Sequence, residues 1–217
     1  MTGKNHRSIE FNAPRRFLGN EAILNYWRMA KTLDEESGEN QCELYFVILW
    51  ETGARIGEVL NLEPNQITWN NEAILIDRMM VLKRRKRFVR DVLIKRDDKD
   101  PLAEVFVNYV KECNTSYLLP AHKKFTKDII PNKHVSMYPI YTRIVRVADP
   151  TLSKKSIWPH LIRDQRAFFL KEIRGLDVYE LQKWFAWARM EQVMHYVGNP
   201  DTAMLASKMG IKEVPKQ

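Results

Sequence analysis

Between Ile67 and Ile94 the apolar spacing of this chain changes from helical to alternating, and after Pro101 it changes back. Ile67–Trp69, Ala73–Lys83 and Phe88–Ile94 read as strands, parted by Asn70-Asn71 and by the basic stretch Arg84 to Arg87. One short β segment inside a helical chain leaves few architectures. The expectation is an α+β domain, mostly α-helical, with a small three-stranded antiparallel β-sheet.

The helices bracket that sheet. One is expected after Asn20, with Ile23, Trp27, Ala30 and Leu33 on one face and Asn20 as its cap. Asp34 to Asn40 reads as an acidic loop. Gln41 to Thr52 reads as a second helix, interrupted at Gly53 and followed by a short one that Pro64 ends. Beyond the sheet, Asp100-Pro101 reads as a cap and first helical position, Pro120 to Val135 as a loop, and Ser136 to Ala148 as a helix. Pro159 to Gly175 and Arg189 to Val197 follow as helices, with Asp177 and Glu180 as a capping box between them. Met1 to Arg16 reads as a basic arm, and Asp201 to Met209 as a last short helix.

Composition narrows the function classes. The 217 residues are 45% apolar, enough for a core without staples and too much for a disordered chain. Lys+Arg 35 against Asp+Glu 27 leaves a net charge of +8, which favours a polyanionic partner. Cys42 and Cys113 stand apart from each other and from any histidine cluster, which argues against zinc and for a reducing, cytoplasmic setting. The longest apolar run, Leu44 to Trp50, is too short to span a bilayer, and Met1 to Arg7 carries no secretory signal.

Four constellations carry chemistry. Arg55 lies just past the Gly53 break at a helix start, where an anion is favoured and a guanidinium adds a clamp; the alternative is a surface pair with Glu58. Lys83, Arg84, Arg85, Lys86, Arg87 and then Arg90 crowd one hairpin, as DNA phosphates or a guarded sheet edge would require. His160 and Arg163 share a helix face at (i, i+3). Trp187 and Tyr196 close the series; Tyr196 is a nucleophile or a packing residue, and His195 beside it faces elsewhere on a helix. Asp97 to Asp100 is the one dense carboxylate run, read as a cap and solvated turn and not as a metal site.

Taken in order, these residues resemble the catalytic domain of the tyrosine recombinases, the phage-integrase family. Thr52, Gly53, Arg55 and Glu58 match its first motif, Thr-Gly-x-Arg-x-x-Glu. Lys83, with Lys86 as the alternative, matches its hairpin lysine, and His160 with Arg163 its His-x-x-Arg box. Trp187 stands nine positions before Tyr196, as the family's histidine or tryptophan stands before its nucleophile. The resemblance runs from about Pro14 to Gly198. Three positions depart from it: Phe185-Ala186-Trp187 replaces Leu-Gly-His, Asp164-Gln165 replaces His-Thr, and Glu191-Gln192 replaces paired threonines.

The resemblance implies Arg55, Lys83, His160, Arg163, Trp187 and Tyr196 as catalytic residues, with Glu58 in support, and a covalent 3′-phosphotyrosyl intermediate that needs neither metal nor nucleotide cofactor. It implies double-stranded DNA as partner, contacted by Arg84, Arg85, Lys86, Arg87, Arg90, Tyr141, Arg143 and Arg146. It implies a tetramer on two synapsed sites, with the isolated chain as a monomer, and an origin in a virus, plasmid or other mobile element. The expected division is a basic arm or linker over 1–16, a catalytic domain over 17–198 and a tail over 199–217 that either docks on a neighbour or folds back on its own domain, with no counterpart of the family's DNA-clamping N-terminal domain. A DNA-binding module without activity and a type IB topoisomerase-like enzyme are the alternatives.

Overall fold

The apolar run ending at Gly53 lies at the centre of the molecule. The computed structural model describes residues 17–37, 41–83, 86–122, 129–131, 134–149 and 160–197. The first two helices are α1 (Asn20–Ser37) and α2 (Cys42–Thr52). All but one residue of α2 is buried, as a helix apolar on every side must be. Asp34, at the end of α1, accepts the Cys42 and Glu43 amides at 2.9 and 2.8 Å and so caps α2. The expected acidic loop is therefore helix as far as Ser37, because its first carboxylate has this local use. On α1 the core face carries Ile23, Tyr26, Ala30 and Leu33, while Trp27 sits at the edge and donates to Glu43. Asn20 is a helical residue and not a cap; its amide donates to the Lys99 carbonyl.

A single turn, α3 (Ile56–Val59), follows Gly53 and leads to the sheet of β1 (Ile67–Trp69), β2 (Ala73–Lys83) and β3 (Lys86–Lys95). The order is β1-β2-β3, antiparallel throughout, with Lys83 opposite Lys86 at the hairpin end. Then come α4 (Ala103–Glu112), β4 (Pro120–His122), β5 (Ile129–Pro131), α5 (His134–Ala148), α6 (Leu161–Glu172), α7 (Val178–Phe185) and α8 (Met190–Val197). The stretch expected to be a loop after Pro120 contains a two-stranded ladder, β4 with β5, too short to leave an alternating pattern. Asp177 caps α7 by accepting from Tyr179 and Glu180, and Glu180 accepts from Asp177 in return.

The carboxylate run at Asp97 to Asp100 divides in two. Asp97 pairs with Arg174 at 2.6 Å, which holds its carboxyl down at about 2. Asp100 is buried and does not cap α4; it accepts from Trp50 at 3.0 Å and from Arg166 at 2.5 Å. Arg166 also reaches Glu51 at 3.1 Å. Burial and the neighbouring Asp100 push the Glu51 carboxyl up, against the pull of Arg166. This ion cluster joins α2, α6 and the turn before α4 inside the core.

Candidate active site

Gly53 sets the local geometry. It adopts φ 52°, the left-handed region, and a Cβ there would stand 2.6 Å from the Phe185 ring. Glycine is required both for the turn and for the approach of α7. The chain then reverses and delivers Arg55 as the residue preceding α3.

Glu58 fixes Arg55 in place. The buried carboxylate accepts the Arg55 amide at 2.9 Å and the Arg55 guanidinium at 2.8 Å. It also accepts the Leu82 amide at 3.1 Å. The pair is therefore not a surface detail, because one carboxylate ties the arginine to the end of β2. Lys83 is the next residue after Leu82, so the backbone of the hairpin end lies on this side of the site.

Helix α6 supplies the second arginine. Four consecutive polar residues, Arg163 to Arg166, are buried there. Arg163 donates to the carbonyls of Gly53 at 2.6 Å and Phe185 at 3.2 Å. Its guanidinium lies 4.7 Å from the Phe185 ring and 5.5 Å from the Trp187 ring. Asp164 accepts the Tyr196 hydroxyl, Gln165 accepts the Leu18 amide, and Arg166 serves the ion cluster.

Arg90 belongs to the same framework. It donates to the carbonyls of Thr52 and Trp184, the residues just before those that Arg163 holds. Two guanidiniums thus join the Thr52-Gly53 turn to the end of α7. Arg90 was expected to contact DNA, but the structure buries it, and burial together with the Arg163 charge lowers its pKa to about 9. Tyr141, also expected at DNA, is 1% exposed and packs in the core beneath α5. Neither side chain is available to a duplex.

Helix α8 packs on α6 and α7 and brings in Tyr196. The phenol ring stacks on Trp187, with centroids 4.9 Å apart and planes 7° from parallel, and Trp187 stacks on Phe185 at 4.4 Å. Burial, then the Asp164 charge and hydrogen bond, raise the Tyr196 pKa above its usual value. His160 sits exposed at the rim. Desolvation on its protein side and the charges of Arg163 and Arg55 lower its pKa to about 4, so the imidazole is neutral near pH 7.

One open cleft of about 340 Å³ gathers Arg55, His160, Arg163, Asp164, Trp187, Gln192 and Tyr196. Five of the residues singled out from sequence meet there. Asp164 and Gln192 are additions. Both stand where the chain departs from the family pattern, and that departure was the signal that marked them. The backbone of Lys83 and Lys86 closes the hairpin nearby, but the side chains of Lys83 to Arg87 lie outside the described residues, as do arm 1–16 and tail 199–217. Arg143 and Arg146 are exposed on α5, the former 3.3 Å from Glu36. Among the described residues no cluster of three or more metal-ligating side chains occurs, and no helix is long and apolar enough to cross a membrane.

Two arginines, a histidine and a tryptophan thus surround one tyrosine on a mostly helical fold with a three-stranded antiparallel sheet. The model of the phage integrase family matches residues 24–202, and the chain belongs to that family. Its fold is similar to XerH site-specific recombinase bound to difH substrate, with TM-score 0.62 and 19% identity over 91% of this chain and 54% of that one. It is similar to the Tn1549 transposon integrase in complex with circular intermediate DNA, with TM-score 0.60 and 15% identity over 91% and 67%. It is also similar to the catalytic domain of bacteriophage HP1 integrase, with TM-score 0.51 and 18% identity over 93% and 99%. The chain therefore spans about half of XerH but nearly all of the HP1 catalytic domain. Comparison with curated proteins returns no match.

Proposed function

We propose that this catalytic domain cleaves and rejoins DNA site-specifically, through a covalent 3′-phosphotyrosyl link at Tyr196. The observation that carries the reading is the single cleft in which Arg55, His160, Arg163 and Trp187 surround Tyr196. Phosphoryl transfer depends on positioning and charge neutralisation. Arg55 and Arg163 take the non-bridging oxygens of the scissile phosphate. Arg163 suits this role because its paired donors are fixed by two carbonyls while its charge stays available. Neutral His160 donates a further hydrogen bond, and Trp187 holds the tyrosine ring by stacking. Tyr196 Oη attacks phosphorus, and Lys83 or Lys86 gives a proton to the departing 5′ oxygen. A 5′ hydroxyl from a second strand reverses the step. The bond energy stays in the protein–DNA link, so the chemistry draws on neither nucleotide nor metal.

Double-stranded DNA is the partner in this reading, with Arg84, Arg85, Lys86, Arg87, Arg143 and Arg146 on its backbone. Residues 1–16 form an arm and 17–198 the catalytic domain. Residues 199–217 dock on a neighbour in a tetramer over two synapsed sites.

The test uses nicked duplexes with a randomised central segment, from which cleavage releases a short fragment and traps the intermediate. The wild type forms an adduct stable to denaturant; Tyr196→Phe binds the selected DNA and forms none. An adduct with Tyr196→Phe would remove Tyr196 as nucleophile. Binding without any adduct would leave a DNA-binding module, and relaxation of supercoils without strand exchange a topoisomerase-like enzyme.

A further inference from the structure

Tyr196 must lose a proton as it attacks, and no residue assigned above accepts it. Among the described residues, the Tyr196 hydroxyl donates to Asp164 Oδ1. Asp164 is buried at the start of α6, beside Arg163, and its amide donates to the His160 carbonyl at 2.8 Å. A carboxylate placed there has two effects on the site. It holds the nucleophile by a charge-assisted hydrogen bond, and it partly cancels the arginine charge that the phosphate needs.

We propose that Asp164 is the general base of strand cleavage, a role that rests on the reading of Tyr196 as nucleophile. As the Tyr196 Oη–phosphorus bond forms, the phenolic proton passes to Asp164 Oδ1. The phosphorus–O5′ bond breaks, its electron pair leaves on O5′, and the hairpin lysine protonates that oxygen. In rejoining, the 5′ hydroxyl oxygen attacks phosphorus and gives its proton to the neutral hairpin lysine, the phosphorus–Oη bond breaks, and the neutral Asp164 carboxyl returns its proton to the departing phenolate. The transfer also adjusts the field of the cleft. With Asp164 ionised, its charge and that of Glu58 offset Arg55 and Arg163; once it is protonated, one positive charge is uncovered as negative charge builds on the phosphoryl oxygens. Raising of the Tyr196 pKa by burial and by Asp164 means that little free phenolate exists to attack, so a base in contact is needed. Among the described residues, the charged or titratable groups around Asp164 include Arg163 on its own helix, His160 just before that helix, Arg55 before α3, Tyr141 on α5 and Tyr196 on α8.

Asp164→Asn separates base from holder, because the amide oxygen still accepts the hydroxyl but no longer takes its proton. In the free protein, tyrosine ring NMR should show Tyr196 ionising at lower pH in Asp164→Asn than in the wild type. An unchanged titration means the contact is absent and overturns the proposal. On the selected nicked duplexes, Asp164→Asn should form adduct about a hundredfold or more slowly. The loss should persist on duplexes with sulfur in place of the scissile 5′ oxygen, since a thiolate leaves without a proton donor. Full rescue by sulfur would make Asp164 serve the leaving group. A wild-type rate in Asp164→Asn would reduce it to a holder, and a faster one would make it a restraint; each overturns the proposal. Should Asp164→Asn fail to fold, the wild type still decides. Its rate on the sulfur duplexes should fall with acidification by one proton, in His160→Gln as well, and a flat profile overturns the proposal. Absence of any wild-type adduct while Tyr196 still titrates as stated defeats the reading of the nucleophile and, with it, this role.

Discussion

Arg163 and Arg166 stand one turn apart on α6, both buried, and do opposite things. Arg166 meets two carboxylates, Asp100 at 2.5 Å and Glu51 at 3.1 Å, and lies about 5 Å from the Trp50 and Phe169 rings. Its charge is consumed within the fold. Arg163 meets main-chain carbonyls and aromatic faces, and among the described residues no carboxylate forms an ion pair with it. Burial and Arg55 lower its pKa to about 10, yet it stays charged near pH 7. A buried cation whose donors are used for orientation while its charge remains open is prepared for an anion. One that is neutralised on the spot is structural.

The largest effect expected from this contrast is on stability. Arg166→Met should cost about 3–5 kcal/mol in urea unfolding, because Glu51 and Asp100 are left buried without their cation. Adding Glu51→Gln and Asp100→Asn should recover part of that loss. Arg163→Met should destabilise less, since removing a buried cation that Asp164 and Glu58 offset only at a distance compensates for two lost hydrogen bonds, but should slow adduct formation about a hundred- to a thousandfold. Equal stability losses in the two variants would erase the distinction between them.

Desolvation lowers the His160 pKa first, and the Arg163 charge lowers it further. The His160 NMR titration in the free protein should fall near 4, and Arg163→Met should move it toward the ordinary value of about 6.5. The folded pKa lies below the unfolded one, so the unfolded chain binds the proton first. Stability should therefore fall as pH drops from about 6.5 toward 4, less steeply in Arg163→Met. A smaller effect concerns Ala186, which ends α7 at φ 50° in a left-handed conformation that alanine adopts at a cost. Ala186→Gly should stabilise by up to about 1 kcal/mol in thermal unfolding and leave Trp187 in place.

Much of this was legible in the sequence, for identifiable reasons. The sheet showed itself by its change of period, and Gly53 by interrupting an apolar helix. The order of Arg55, His160, Arg163, Trp187 and Tyr196, read against the family pattern, pointed to the cleft, and the fold brings all five to it. The functions of Arg90 and Asp100 were not legible. A basic residue on a hairpin and an aspartate before a proline have ordinary surface uses, and only the tertiary fold shows that both are buried. Asp164 is intermediate: the sequence marked it as a departure from the family pattern, and the structure placed its oxygen on the tyrosine hydroxyl.

The account stands on Tyr196 as the residue that joins DNA. Peptide mass spectrometry of the adduct trapped on the nicked duplex tests that directly. The account predicts a single modified peptide in which Tyr196 carries the 3′-phosphoryl nucleotide. A nucleotide on any other residue would contradict it.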